Sequence, residues 1–315
     1  MSIKISVIGM GSWGQAIAFY FGSLGHEIYG WQRRQTSLKL KSNITMLTTL
    51  SEALSVADVL FVSLPVNELR SFYESIKDAS ISAKLMVWGS KGMEINTGDL
   101  PHMIFEDVFS NKNIAGASFS GPTFAEEIIR GLPGAACVAS KSKSALELLS
   151  QITANGNIRT YPTEDILGVE IGGATKNIYA IGCGIIDSSH LGENAQAAFI
   201  TRSLYEMTKL GEALGAQTST FFGLSGLGDM ILTCTGNASR NRRFGKALVQ
   251  LKAVPKALKS VSETVEGYYS TKAVYNKASE LKIEMPIVNE LYHILYDDRN
   301  IDEAISNLVA RNTPT

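Results

Sequence analysis

At 315 residues the chain is long enough for two domains with cores of their own. Its 29 Lys+Arg against 30 Asp+Glu leave a formal charge of −1, with 45% hydrophobic and 19% charged residues. That balance argues against nucleic acid or a membrane surface as the main partner, and no apolar run reaches the ~18 residues of an integral membrane segment. Cys137, Cys183 and Cys234 are far apart, odd in number and free of C-x-x-C spacing. They point to a reducing compartment with no disulfide framework and no zinc or other metal site. A strand-like run begins at Ile3 and leaves no room for a signal peptide, so a soluble cytoplasmic protein is expected.

In chain order, β-rich runs occur at 3–9, 26–31, 58–64, 84–90, 114–120, 134–140 and 157–162. Helical patterns begin between them near Trp13, Asn67 and Ser144. Such alternation predicts α/β, a doubly wound, mostly parallel sheet. From about Thr163 the strands stop, and helical patterns follow: "TEDILGVEIGGATKNIYAIGCGII", "NAQAAFITRSLYEMTKLGEALG", "NASRNRRFGKAL", "VEGYYSTKAVYNKASELK" and "MPIVNELYHILYDD". The expected division is a dinucleotide-binding domain over 1–162 and an all-helical, all-α C-terminal domain over 163–315.

The first motif is "VIGMGSWGQAIA", G-x-G-x-x-G at Gly9, Gly11 and Gly14, directly after a strand and opening a helix. Gly9 would permit the tight turn, Gly11 the approach of a pyrophosphate, and Gly14 close helix–strand packing. The second strand runs out as "YGWQRRQ", with Trp31 and Gln32 where an NAD site offers an acid to the ribose. Arg33 and Arg34 follow, which favours the 2′-phosphate of NADP over a pair of ordinary loop arginines. Lys91 in "VWGSKGME" falls just past the fourth run, on the carboxyl-end rim where open α/β sheets bind ligands; "SGPTFAEE" makes a second rim loop.

In "GGATKNIYAIG", Lys176 sits mid-helix with Gly172 and Gly173 at i−4 and i−3, on its own face. Either the glycines clear floor space for a flat group beside the lysine, or they mark a close helix crossing; the two readings stand even. "GLSGLGDM" puts Asp229 on a glycine-rich turn. His26, His102, His190 and His293 have neither ligand spacing nor a visible partner, and structural roles are expected for all four.

"NASRNRRFGKAL" gathers Arg240, Arg242, Arg243 and Lys246 into seven positions of a neutral chain. With Arg240 at zero and about 100° per residue, Phe244, Ala247, Leu248 and Leu251 fall within roughly 80° of it. Arg242 and Lys246 fall at roughly 200° and 240°, with Arg243 on the border, as solvent charges would. Arg240, after the good N-cap Ser239, points with the buried face at a helix N-terminus, and wants a carboxylate or a phosphate there.

Together, "GMGSWG", "SKGME", "SGPTFAEE", "GGATKNIYAIG", "GLSGLGDMILTCTGNASRNRRFG" and "VEGY" resemble, in order and over nearly the full chain, the bacterial NAD(P)-dependent glycerol-3-phosphate dehydrogenase family. The resemblance implies a Rossmann-type domain followed by a helical substrate domain. It implies reversible reduction of dihydroxyacetone phosphate to sn-glycerol 3-phosphate with NAD(P)H, feeding phospholipid synthesis; the absent acid and the Arg33–Arg34 pair favour NADPH, with NADH as second cofactor. By position, Lys176 looks like the family's proton-transfer lysine. Lys91, Gly121, Thr123, Lys176, Asp229, Ser239, Arg240 and Asn241 match substrate-binding positions. Ser12, Trp13, Arg33, Arg34, Lys91, Ala125, Arg240 and Glu266 match cofactor-contact positions. In one departure, "SLKLKSNITMLTTLSEALSVAD", between the second and third runs, is shorter than in the family and proline-free.

On this reading negative charge develops on the C2 oxygen as hydride arrives, and protonated Lys176 stabilises it and supplies the proton. A cation such as Lys91 would lower the Lys176 pKa, while Asp229 would oppose that shift and fix its orientation. Arg240 would hold the phosphate of a small phosphorylated substrate. The alternatives are a related hydroxy-acid or sugar-acid dehydrogenase, marked by indifference to substrate phosphate, and a non-catalytic NADP-binding regulatory protein, marked by no turnover. A homodimer is compatible with all three.

Overall fold

A computed structural model describes residues 2–34, 43–261 and 263–310. The chain divides into a sheet unit, 1–91 with 100–170, and a helical unit, 92–99 with 171–315. The sheet unit holds β1 (Lys4–Ile8), β2 (Glu27–Trp31), β3 (Ile44–Met46), β4 (Val59–Val62), β5 (Leu85–Trp88), β6 (Ala115–Ser120), β7 (Gly134–Ala139) and β8 (Ile158–Thr163). They form one sheet in the order β3-β2-β1-β4-β5-β6-β7-β8, parallel throughout except for the antiparallel β6–β7 pair. The α/β class and the doubly wound, mostly parallel sheet are those expected from the sequence.

Burial on both faces explains the apolar runs. Val59, Phe61, Leu85 and Val87 face one core, shared with Ile17, Phe21 and Leu149. Leu60, Val62, Met86 and Trp88 face the other, shared with Leu69, Tyr73 and Phe105. Side chains alternate in period two, so both faces must be apolar for the sheet to be covered by helices on each side. Strand β3 was not anticipated: it is three edge residues, none of them buried, so it carries no periodic signal.

Register positions the ligand rim. Ile8 lies level with Trp31 and Val62, Val62 with Trp88, and Trp88 with Ser118. The carboxyl ends of β1, β2, β4 and β5 therefore finish along one edge, carrying Gly9, Arg33 and Lys91 just beyond. β1 lies between β2 and β4, where strand order reverses, and ligands bind at that switch point in open α/β sheets.

In the helical unit the organising element is the 23-residue helix Ile166–Ser188, whose first turns belong to the sheet unit. Every residue from 168 to 186 is buried. A helix apolar all round is a central helix. Thr175, Lys176 and Asn177 interrupt it with three consecutive polar side chains, all buried. Glu193–Leu214, Asp229–Thr235, Arg240–Leu251, Val254–Ser260, Glu266–Glu280, Pro286–Tyr296 and Ile301–Ala310 are further helices of this unit. No helix there is long and apolar enough to cross a membrane.

Candidate active site

The glycine turn after β1 is built as a phosphate cradle requires. Gly9 has φ +91°, a conformation that side chains disfavour, and its N–H donates to the Trp31 carbonyl at 2.8 Å. A Cβ on Gly14 would collide with the Gly9 carbonyl, so this glycine lets the helix Ser12–Ser23 press against the turn. Gly11 differs: a Cβ there meets nothing within 4 Å. Gly11 is the N-cap of that helix, with no side-chain cap to occupy the first-turn amides, and Gly11 and Ser12 are exposed. Open space before unclaimed N–H groups and a helix dipole fits the pyrophosphate of a dinucleotide. Trp13 packs 6.5 Å from Phe119, and its buried indole nitrogen has no hydrogen bond.

At the end of β2 no acid appears, and Arg33 and Arg34 are exposed with no ion pair among the described residues. Residues 35–42, which include the first six of the shortened segment, lie outside the described residues. On the same rim Lys91 Nζ donates to the Gly121 carbonyl at 3.3 Å, and Thr123 Oγ1 donates to that oxygen at 3.1 Å. Lys91, Gly121 and Thr123 thus form one cluster. A Cβ on Gly121 would lie 2.8 Å from Ala136 Cα, which holds this loop against β7. Ala125 opens the short helix Ala125–Ile129 and packs on the core.

In the helical unit, Lys176 and Asp229 meet. Lys176 Nζ lies 2.5 Å from Asp229 Oδ1 and 2.9 Å from Thr233 Oγ1, and their side chains are buried. Pairing offsets part of the cost of burying these charges, and removing either partner would leave the other uncompensated. Thr233 was missed in the sequence, although it stands four residues after Asp229 on the same face of Asp229–Thr235. Gly172 explains how Asp229 arrives. A Cβ there would lie 2.5 Å from the Ser225 carbonyl oxygen, so the glycine admits the π-helical turn Leu224–Gly228 against the central helix. At Gly172 the packing reading applies, and the turn leads directly into Asp229. Next to Thr233, the Cys234 thiol is pushed well above the usual range by its hydrogen bond to Cys183 and by burial, which makes it an inert sulfur.

A second network surrounds Asn241. Its Nδ2 donates to Asn177 Oδ1 at 2.9 Å, its Oδ1 accepts the Gly267 N–H at 2.8 Å, and Asn177 Nδ2 donates to Glu266 Oε2 at 3.2 Å. Asn177, one residue from Lys176, was also missed; a buried asparagine in an apolar helix was its only signal. Ser239 caps Arg240–Leu251 by accepting the Arg242 N–H at 3.3 Å, as expected.

The cation cluster needs one correction. Arg242 and Lys246 are not solvent charges: both pair with Asp187, at 2.8 and 2.5 Å, and the Arg242 side chain is 11% exposed. Arg242 also donates to Asn237 at 2.7 Å. The physical reason is a close helix crossing. A Cβ on Gly245 would strike the Ile181 carbonyl, and one on Gly184 would strike the Arg242 carbonyl, so the buried face turns toward Asn241 and Gly245. Leu251 is accordingly exposed, at 41%. Arg243 pairs with Glu263 at 3.0 Å. Arg240, half-buried on the flank of that face, makes no hydrogen bond or ion pair with its guanidinium among the described residues.

The parallel sheet with its glycine turn at the switch point has the build of an NAD(P)-binding dehydrogenase domain, and a helical part follows it in the chain. The family model for the NAD-dependent glycerol-3-phosphate dehydrogenase N-terminus matches residues 4–146, and that for the C-terminus matches 165–306; the chain belongs to this family. It is 37% identical over 325 aligned positions to the glycerol-3-phosphate dehydrogenase (NAD(P)+) of Thermoanaerobacter sp. (strain X514), with 98% of each chain covered. It is 36% identical, at the same coverage, to the protein of that name from Staphylococcus saprophyticus. The crystal structure of glycerol-3-phosphate dehydrogenase from Coxiella burnetii superposes with a TM-score of 0.90 at 31% identity, covering 98% of this chain and 99% of that one.

Proposed function

We propose that the protein reversibly reduces dihydroxyacetone phosphate to sn-glycerol 3-phosphate, with NADPH as preferred hydride donor and NADH as second. Membership of the family and the names of its relatives support this reading. The single observation that carries the choice of a phosphorylated substrate is Arg240. In a cluster of four cations the other three have carboxylate partners, and Arg240 has none among the described residues. A guanidinium without a carboxylate partner at a helix N-terminus suits a phosphate.

A bound nicotinamide would supply the hydride, and Gly9, Gly11, Ser12, Trp13 and Gly14 would hold its dinucleotide by the pyrophosphate. Arg33 and Arg34 would take the 2′-phosphate, with Ala125 and Glu266 as further contacts. Lys91, Gly121, Thr123, Ser239, Arg240 and Asn241 would orient the substrate. Lys176 would stabilise the negative charge growing on the C2 oxygen and deliver its proton; in the reverse direction it would accept that proton. Asp229 and Thr233 aim the lysine, since both bond its Nζ from a single helix. The test is NADPH oxidation, followed at the nicotinamide absorbance, with dihydroxyacetone phosphate against unphosphorylated dihydroxyacetone. Turnover confined to the phosphorylated ketone supports the proposal, and equal rates with both refute it.

A further inference from the structure

The chain passes between its two units at 91/92, 99/100 and 170/171. One buried carboxylate stands beside all three passages. Glu170 is the last residue before the third; Trp88 precedes the first by three residues, and His102 follows the second by two. Glu170 Oε1 accepts the Trp88 indole N–H at 2.6 Å. Its Oε2 accepts the His102 backbone N–H at 3.2 Å and lies 2.6 Å from His102 Nδ1. All three residues belong to the sheet unit and are buried, Trp88 at 0%, Glu170 at 3% and His102 at 5% exposure. The sequence had offered His102 no partner; here it has one.

This arrangement is costly unless it does something. Neighbouring Val169, Tyr73, Phe105 and Trp88 form an apolar cluster, in which an apolar residue at 170 would avoid the desolvation penalty of a carboxylate altogether. What the carboxylate adds is direction. It receives three donors from two elements, and it stands in for the missing cap of the helix Pro101–Phe109, whose N-cap Leu100 has no side-chain acceptor. It thereby joins the end of β5, the start of that helix and the first turns of Ile166–Ser188 at one point. Lys91 follows Trp88 by three residues, and Lys176 follows Glu170 by six, about 9 Å along a helix.

We propose that Glu170 is a positioning residue for the reaction: with Trp88 and His102 it ties the end of β5, the start of the helix Pro101–Phe109 and the first turns of Ile166–Ser188 into one node, three residues before Lys91 and six before Lys176. The role in catalysis rests on the reading given under Proposed function; the node itself does not. Misplacing reacting groups by about 1 Å can cost 10²-fold in rate. Glu170→Gln puts an amide N–H₂ against one of the three donors. Trp88→Phe keeps a ring in the buried site and removes only the indole N–H, and it carries the test should Glu170→Gln fail to fold.

The measurements are kcat per NADPH-binding site, both KM values, the primary isotope effect with NADPH deuterated at the transferred hydrogen, and amide hydrogen exchange. In Glu170→Gln, kcat is expected to fall at least about tenfold while both KM values stay within about threefold. The isotope effect is expected to rise as hydride transfer becomes limiting, and Trp88→Phe should move in the same direction by less. Exchange should increase together in 89–91, 100–103 and 168–173. Unchanged kcat and isotope effect per site, with only a lowered Tm, would overturn the positioning role and leave a structural one. Exchange needs no turnover, so it judges the node even if the wild type does not reduce dihydroxyacetone phosphate; a rise confined to one of the three segments overturns it.

Discussion

At Gly11 an added side chain would meet open space, whereas at Gly172 it would lie 2.5 Å from the Ser225 carbonyl. Both glycines stand beside proposed functional residues, in the sheet unit and the helical unit respectively. In the first, the missing side chain leaves backbone N–H groups open to a ligand. In the second, it lets one segment of backbone reach another and bring Asp229 to Lys176, at 2.5 Å. A glycine next to chemistry can therefore serve the ligand or the fold, and only the atoms facing its absent Cβ distinguish the two.

Lys176→Ala should have the largest effect. Loss of the proposed proton donor is expected to lower kcat by about 10²–10⁴-fold with NADPH binding retained. A variant that keeps more than about a tenth of wild-type kcat would make Lys176 a packing residue. Substitution of the two glycines then tests the comparison itself. Gly172→Ala should cost about 1–3 kcal/mol of stability through overpacking and lower kcat, because the turn before Asp229 is displaced. Gly11→Ala should leave Tm within about 2 °C of wild type, since nothing is struck, while raising the NADPH dissociation constant severalfold. Thermal melts and NADPH titrations of both variants decide; matching losses of stability would erase the distinction.

Smaller effects are expected from the arginines that bind no substrate. Arg33→Ala with Arg34→Ala should reduce kcat/KM for NADPH about tenfold and leave that for NADH unchanged, as loss of a charge-assisted phosphate contact predicts. Equal use of both cofactors by the wild type would contradict it. Arg242→Ala should alter either Michaelis constant by less than about twofold and lower stability by about 1 kcal/mol, because Asp187 loses one of its two cations.

The sheet was legible in the sequence because strands buried on both faces must be continuously apolar, as "DVLFVSL" and "KLMVWGS" are. Ile44–Met46 was not, since an exposed edge strand of three residues leaves no pattern. The tight turn at Gly9 and the close helix packing at Gly14 could be read, because strand, turn and helix follow one another within twelve residues. The meeting of Lys176 with Asp229 was legible only through family likeness, 53 residues of chain separating them. Arg242 was misread for a physical reason: an angular plot weighs side-chain polarity, but here Gly184 and Gly245 set which face is buried. Glu170 carried no more signal than Asn177, a polar residue in an apolar helix, and its partners Trp88 and His102 lie 82 and 68 residues away in the chain.

The central claim is that Arg240 holds a substrate phosphate. It is tested most directly by kcat/KM for dihydroxyacetone phosphate and for dihydroxyacetone, each measured in the wild type and in Arg240→Ala. A charge-assisted contact is worth about 1.5–3 kcal/mol, so Arg240→Ala should lose roughly 10–150-fold on the phosphorylated ketone and change little on the unphosphorylated one. Equal losses on both ketones would contradict the account, since an arginine that serves both substrates alike does not read the phosphate.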